Sequence, residues 1–254
     1  MRLRNVRTGW LMTLRELGRS RIALILCFVV PSVFYAVVFL ITTQRAIAFK
    51  LASVSEEALV SVSQRNEGLV FIGLAAVGVL TSFLALHLTQ KHPEVNRRLV
   101  LCGYGTTELL ASKFLALVVM IALIGCYVGA ITPLFFRPRR FLLVLAGFMA
   151  AGYVYGSYGL LVGALVKREL EGILFIVLLA NIDIGWLQNP IYYAEAQNKA
   201  LIRHLPAYFP SQLSMVAAFT DKSVLNPALG SLVYGTVLLA AALVIYSRRM
   251  KLWK

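Results

Sequence analysis

Charged side chains are concentrated in residues 89–113, a polar stretch between two long apolar segments. Pro93 suits the first turn of a helix, and Glu94 beside it suits the positive end of the helix dipole. Arg97 and Arg98 would follow on the same helix. A short exposed helix that carries two arginines and a carboxylate can bind a charged partner in water. We therefore predict a recognition element here; the alternative is a basic loop that only sets membrane topology.

The same stretch predicts where this helix ends. Gly103 and Gly105 interrupt the helical pattern, and Thr106 or Thr107 can cap the helix that follows. Glu108 then falls in the first turn of that second helix, where the dipole favours an acid. We predict a short amphipathic helix, a turn and the start of a long helix.

Polar side chains also occur inside the apolar segments. Asn181 and Asp183 lie well within one of them. An acid in hydrocarbon is costly and marks a functional site by default; the alternative is that Asp183 reaches the membrane surface. Tyr155 and Tyr158 could contact an amphipathic ligand, although packing in the core is the commoner fate of such side chains.

The composition indicates an integral membrane protein. Of 254 residues, 59% are hydrophobic and only 14% are charged, whereas a soluble domain carries about 25% charged residues. Six apolar segments are long enough to cross a bilayer as helices. They are residues 22–41, 68–88, 114–135, 141–166, 172–187 and 228–246. We predict an all-α integral membrane protein with one domain over residues 1–254.

The net charge of +14 could suggest nucleic acid, but the basic residues form small groups at the ends of apolar segments. Attraction to lipid headgroups explains that distribution, so we predict no nucleic-acid partner. The three cysteines form no CxxC, and the three histidines have no metal-ligand spacing, so we predict reduced thiols and no metal site. A GxxxxGK[ST] phosphate loop is absent, which excludes ATP hydrolysis by that route.

The N-terminal segment, residues 1–21, is predicted to form an interfacial helix. Val6, Trp10, Leu14 and Leu17 make an apolar stripe at helical spacing, with arginines away from it. Such a helix lies flat on a membrane with its tryptophan at headgroup depth. The alternative is a frayed basic tail.

Residues 189–227 are predicted to cap the outer face. Pro190, Pro206 and Pro210 divide this apolar segment into pieces too short to cross a bilayer, so short re-entrant or interfacial helices fit best.

Small residues at four-residue spacing also predict close helix contacts, within one chain or between two copies. These pairs are Gly125 and Gly129, Gly152 and Gly156, and Gly159 and Gly163.

The distribution of basic residues predicts the orientation. Sixteen of the 25 lysines and arginines fall on the side of the N-terminus and nine on the other. Because cytoplasmic loops carry the excess, both termini are predicted to be cytoplasmic, in the inner or plasma membrane of the cell. Arg137, Arg139 and Arg140 violate this rule, since they fall on the outer side.

Several of these features together resemble the ABC-2 type permeases, the membrane subunits of ABC transporters with the type V exporter fold. The matching residues are Glu94, Arg97, Arg98, Leu99 and Gly103, the run 108–113, and the segments 159–166 and 208–213. The flat N-terminal helix, the six spans and the inward termini are similar as well. The chain departs from the family in having Arg97, Arg98 and Gly103 in the coupling region, where members usually carry Glu-x-Gly-Thr and later a proline.

The resemblance implies that residues 89–113 form the cytoplasmic coupling region that docks on a separate ATPase subunit. The implied coupling residues are Pro93, Glu94, Arg97, Arg98, Leu99, Gly103 and Glu108. It also implies a second permease copy or homologue, and a transport pathway or dimer seam near Asn181, Asp183, Tyr155 and Tyr158. The chain itself would be no enzyme and would bind no cofactor; ATP and Mg²⁺ would sit on the partner. An exporter of amphipathic, drug-like or lipid-linked molecules is the expected function.

Other functions stay open at this point. A lipid-linked polysaccharide exporter has similar length, and a passive channel or a membrane assembly factor would need no ATPase. A rhomboid-like serine protease needs a serine in a Gly-x-Ser-Gly turn and a histidine on a later span. This chain has the order Gly156, Ser157, Tyr158, Gly159 and no histidine in its sixth span, which argues against a protease.

Overall fold

The computed structural model describes residues 3–50, 59–189, 193 and 197–251. Its helices and strands follow one another in this order: α1 Leu3–Arg19, α2 Arg21–Ile41, β1 Ala46–Lys50, β2 Leu59–Ser63, α3 Gln64–Gln90, α4 Pro93–Leu101, α5 Thr106–Phe135, α6 Phe141–Leu165, α7 Glu169–Ile182, a π-helical turn Asp183–Leu187, α8 Lys199–Arg203, α9 Tyr208–Phe219 and α10 Leu225–Lys251.

Six helices in the described part of the chain are long and apolar enough to cross a bilayer: α2, α3, α5, α6, α7 with its π-helical turn, and α10. They coincide with the six predicted segments, so the predicted all-α, multi-pass architecture is confirmed at this level. The largest difference between a helix and its apolar segment is at α5, which begins at Thr106, whereas the apolar segment begins at residue 114. Glu108 therefore lies in the first turn of α5, as predicted, and Glu108 and Lys113 are both buried.

The centre of the bundle is formed by α3 and α6, and α2 and α10 have the largest exposed fractions among the spans. Close approach of α3 and α6 depends on Gly159, where an added Cβ would lie 2.2 Å from the carbonyl oxygen of Ser82. One turn later, a Cβ added at Gly163 would lie 2.7 Å from the side-chain Cβ of Thr89. The predicted small-residue contacts at these two positions are therefore contacts within one chain.

At one end of the bundle, α9 lies buried against α6, and two basic residues hold its C-terminus. Arg139 and Arg140 donate backbone N–H groups to the carbonyl oxygens of Ala218 and Ala217, at 3.0 and 3.2 Å. The Arg140 guanidinium also donates to the Lys222 carbonyl oxygen at 2.6 Å. Cations are favoured where helix carbonyls lack partners. The guanidinium contact gives Arg140 a structural role at this end of the bundle, whichever side of the membrane this end faces.

The two strands were not predicted. β1 and β2 pair antiparallel, with Ala46 opposite Ser63 and Ile47 opposite Val62. The segment contains short alternating and β-branched runs that favour a strand. Part of the predicted capping segment, residues 190–192 and 194–196, lies outside the described residues; the short helices α8 and α9 follow it, and their re-entrant placement stays a prediction.

Candidate functional site

The helix α4 has the boundaries that its sequence predicts. Pro93 occupies its first turn, after His92 in the left-handed region at φ 52°. The helix ends at Leu101, and Gly103 adopts φ 90°, a conformation that glycine reaches without steric cost. The Tyr104 N–H then donates to the Leu99 carbonyl oxygen at 3.0 Å, which closes the end of the helix.

One face of α4 is buried and the others are open. Asn96 and Val100, four residues apart, face the protein interior. The exposed side chains combine apolar and charged groups: Glu94, Val95, Arg97, Arg98, Leu99 and Leu101. Five of the predicted coupling residues, with Pro93 included, therefore lie on or beside one exposed surface, which we call the α4 surface. Such a mixed surface can bind a partner through both ion pairs and apolar contacts.

The N-terminal end of α4 is attached to α1. Glu16 Oε1 accepts a hydrogen bond from Lys91 Nζ at 2.9 Å, and His92 Nε2 lies 3.1 Å from the same oxygen. Burial raises the pKa of the Glu16 carboxyl, but Lys91 and His92 together outweigh that effect and hold this pKa below its ordinary value. The carboxylate form of Glu16 is thus the form that stabilises the contact.

The C-terminal end of α4 is attached to α1 and α5 through Glu108. Its Oε2 accepts from Asn5 Nδ2 at 2.9 Å and from the Gly105 N–H at 3.4 Å, and the Tyr104 hydroxyl donates to the Asn5 carbonyl oxygen. The prediction that Glu108 lies in the first turn of α5 is confirmed. The predicted threonine cap is wrong: Gly105 is the N-cap, and the Glu108 side chain satisfies its N–H.

The two attachments arrange α1 and α4 antiparallel, since Glu16 meets the start of α4 and Asn5 meets its end. Sequence reasoning missed both α1 residues. The signal was present, because eleven residues make about three helical turns, which places Asn5 and Glu16 on one face. Of the predicted stripe, Val6 and Leu17 are buried against the bundle, and Trp10 and Leu14 are partly buried there. That α1 also lies at a membrane surface stays a prediction.

A second polar cluster surrounds Asp183, whose side chain is completely buried. Its Oδ2 accepts from the Tyr155 hydroxyl at 2.6 Å and from the Ala207 N–H at 2.8 Å. Its Oδ1 accepts from Gln188 Nε2 at 2.9 Å. The Ala207 N–H and the Gln188 amide NH₂ can only donate, and the Tyr155 hydroxyl completes a set of three hydrogen bonds to the carboxyl group. The cluster therefore joins α6, the π-helical turn and the chain just before α9.

The other two residues predicted near a pathway or dimer seam differ in exposure. Tyr158 is half-buried, 6.4 Å from the Tyr155 ring, and donates to the Phe175 carbonyl oxygen at 3.4 Å. Asn181 is exposed and donates to the Val177 carbonyl oxygen of its own helix at 2.8 Å. Of the four, Asn181 and Tyr158 reach the surface of the chain, whereas Asp183 and Tyr155 do not. Their role in transport stays a prediction.

Within the described residues, no group of three or more His, Cys, Asp or Glu side chains is placed to hold a metal ion. Comparison with known proteins adds no further assignment: neither a family model nor a curated protein matches this chain.

Proposed function

We propose that this chain is the membrane subunit of an ATP-driven ABC exporter of the ABC-2 type, powered by a separate ATPase subunit that docks on the α4 surface. The observation that carries the proposal is the presentation of α4: its outer faces are exposed, while both of its ends are fixed to α1 and to neighbouring spans. A docking element that must transmit force needs both properties.

A force applied to α4 can reach the membrane-spanning helices through contacts at both of its ends. At the first end, Lys91 follows α3 directly and binds Glu16. At the second end, Glu108 belongs to the first turn of α5 and binds Asn5. A rigid-body displacement of α4 by closing ATPase subunits would therefore move α1, α3 and α5 together.

The proposed cargo is an amphipathic or lipid-linked small molecule that leaves the cytoplasm between two copies of the chain. An open groove of about 410 Å³ between α2, α3 and α7 supports this assignment. Its walls are apolar except at a few positions, and Phe34, Phe71, Asn181 and Asn189 are among its lining residues. Such a lining suits a ligand that is mainly apolar and carries few polar groups.

The test is the double variant Arg97→Ala with Arg98→Ala on α4. The control is the double variant Arg4→Ala with Arg7→Ala on α1, whose arginines are also exposed. Each protein is purified from its native cell in mild detergent, and the amount of ATPase subunit and its ATP hydrolysis are measured. We expect the wild type and the α1 control to retain an ATPase partner and the α4 variant to lose most of it, with unchanged elution as a folded particle. Full transport activity of the chain in vesicles without any ATPase would overturn the proposal.

A further inference from the structure

A cavity of about 330 Å³ lies between α1, α4 and the start of α5, on the side of α4 that faces the bundle. Its walls are mainly apolar and include Met12, Leu88, Val95 and Leu109. Met12 and Val95 are 65% and 53% exposed and mark its mouth, whereas Leu88 and Leu109 are buried at its floor. The cavity is therefore open on one side and closed by the bundle on the other.

A buried lysine lines this cavity. The Lys113 side chain is 6% exposed, and its Nζ has no hydrogen-bond partner among the described residues. Burying an ammonium group without a partner is unfavourable, because the protein interior does not replace the hydration that the charge loses. An anion inside the cavity would remove this cost.

The other polar groups of the cavity are already engaged. Glu16 is the acid that faces Lys113, and its Oε1 is occupied by Lys91 and His92. The hydroxyls of Thr13 and Ser112 donate to carbonyl oxygens of their own helices, at 2.9 and 2.7 Å. Among the described residues, Lys113 therefore lines the cavity with no hydrogen-bonded or ion-paired acid, and Glu16 acts on it only at longer range.

We propose that the cavity binds the phosphate of an anionic lipid, with the phosphate against Lys113 and the acyl chains leaving past Met12 and Val95. The cavity volume corresponds to about ten water-sized groups at roughly 30 Å³ each. This is enough for a phosphate and its ester carbons but not for two acyl chains. Basic pockets between helices near a membrane surface are suited to lipid headgroups. The apolar mouth favours a phosphate with a tail over a free phosphate ion. This site does not require an ATPase on α4.

The test measures lipid binding to the purified chain in detergent by native mass spectrometry. Phosphatidylglycerol, phosphatidylcholine and inorganic phosphate are the probes. We expect one phosphatidylglycerol per chain to bind at least tenfold more tightly than phosphatidylcholine. Lys113→Arg should keep this preference and Lys113→Met should lose it. Lys167→Met is the control, since Lys167 is an exposed lysine outside this cavity.

A second variant separates lipid loss from misfolding. Met12→Trp places a large side chain at the exposed mouth without touching Lys113, and it should weaken phosphatidylglycerol binding while the unfolding temperature stays unchanged. Displacement of the lipid by millimolar inorganic phosphate would assign the site to a free phosphate and overturn the lipid assignment. An unchanged preference for phosphatidylglycerol in Lys113→Met, or equal binding of both lipids to the wild type, would overturn the proposal altogether.

Discussion

Asp183 joins three parts of the chain that are separate in sequence, because Tyr155, Gln188 and the Ala207 N–H all donate to its two oxygens. Asp183→Ala would leave the Tyr155 hydroxyl and the Ala207 N–H buried without this acceptor, each at a cost of about 1–3 kcal/mol, whereas Gln188 Nε2 keeps its bond to the Ile202 carbonyl oxygen. We expect a loss of at least about 2 kcal/mol in the free energy of unfolding, measured by thermal or denaturant unfolding in detergent.

Asp183→Asn should cost less, about 1–2 kcal/mol. The new amide NH₂ would face at least one hydrogen-bond donor that the carboxylate oxygen had accepted from. Gln188 can relieve this conflict by rotating its side-chain amide so that its Oε1 accepts from the new NH₂, because that Oε1 has no hydrogen-bond partner among the described residues. That turn would sacrifice the bond from Gln188 Nε2 to the Ile202 carbonyl oxygen. Asn181→Ala is the matched control, because Asn181 is exposed two residues away. Equal stability of Asp183→Ala and Asn181→Ala would contradict a structural role for the acid.

The sequence singled out Asp183, since an acid in an apolar segment is rare, but it did not predict the partners. Gln188 and the Ala207 N–H reach Asp183 only after a π-helical turn and the segment before α9 have folded back on the bundle. The residues of this segment carry no sequence signal that predicts its folding back on the bundle. The burial of Lys113 is likewise not predictable from its neighbours in the sequence, because it depends on packing against α1.

At the scale of the elements, the contact between α1 and α4 should depend on pH through Glu16. The pKa of this carboxyl is lowered in the folded chain, so its contribution is present at neutral pH and is lost as the pH falls through the acidic range of that pKa. Because the pair is partly exposed, we expect at most about 1 kcal/mol. The difference in unfolding temperature between wild type and Glu16→Gln should shrink on acidification; a difference that is constant from pH 7 to pH 4 would contradict this contact.

The contact between α3 and α6 makes a second prediction at this scale. Gly159→Ala puts a Cβ 2.2 Å from the Ser82 carbonyl oxygen, and the backbone there cannot yield without separating the helices. We expect destabilisation of about 1–3 kcal/mol in unfolding experiments. Gly18→Ala in α1 is the control, since its Cβ would meet nothing within 4 Å. It should leave stability unchanged or raise it slightly.

The elements differ in how well the sequence predicts them. The six spans depend on apolar length, a local property, and all were found. The start of α5 was predicted from turn and capping residues to within about one residue, whereas its apolar span alone would begin it at residue 114. The strands were missed because two short strands give a weak periodic signal beside six long helices.

At the scale of the whole molecule, the contacts fix which termini share an end of the bundle. Glu169 lies 2.9 Å from His87, and Arg249 donates to the Val166 carbonyl oxygen at 2.8 Å. The start of α7 and the end of α10 therefore lie at the same end as the end of α3 and the adjoining α4. The count of basic residues predicts that this end faces the cytoplasm.

Cys102 offers a test of that orientation. It is an exposed free cysteine next to α4, whereas Cys27 is buried and Cys126 lies within α5. A membrane-impermeant maleimide should label Cys102 in inside-out vesicles and not in intact cells. Cys102→Ser should abolish the label, and Ser223→Cys in that background, at the opposite end, should restore it in intact cells. The reverse pattern would place both termini outside.

The attachment of Asn5 to Glu108 has a consequence for biosynthesis. The two residues are 103 positions apart, and at about 5–20 residues per second a ribosome needs roughly 5–20 s to make the intervening chain. During this time α1 has emerged without α4 or α5, and its apolar stripe has no protein surface to cover it. We expect the apolar stripe of the nascent α1 helix to bind the lipid surface until α5 has been inserted. The lipid composition of the membrane would then influence the fraction of chains that fold correctly.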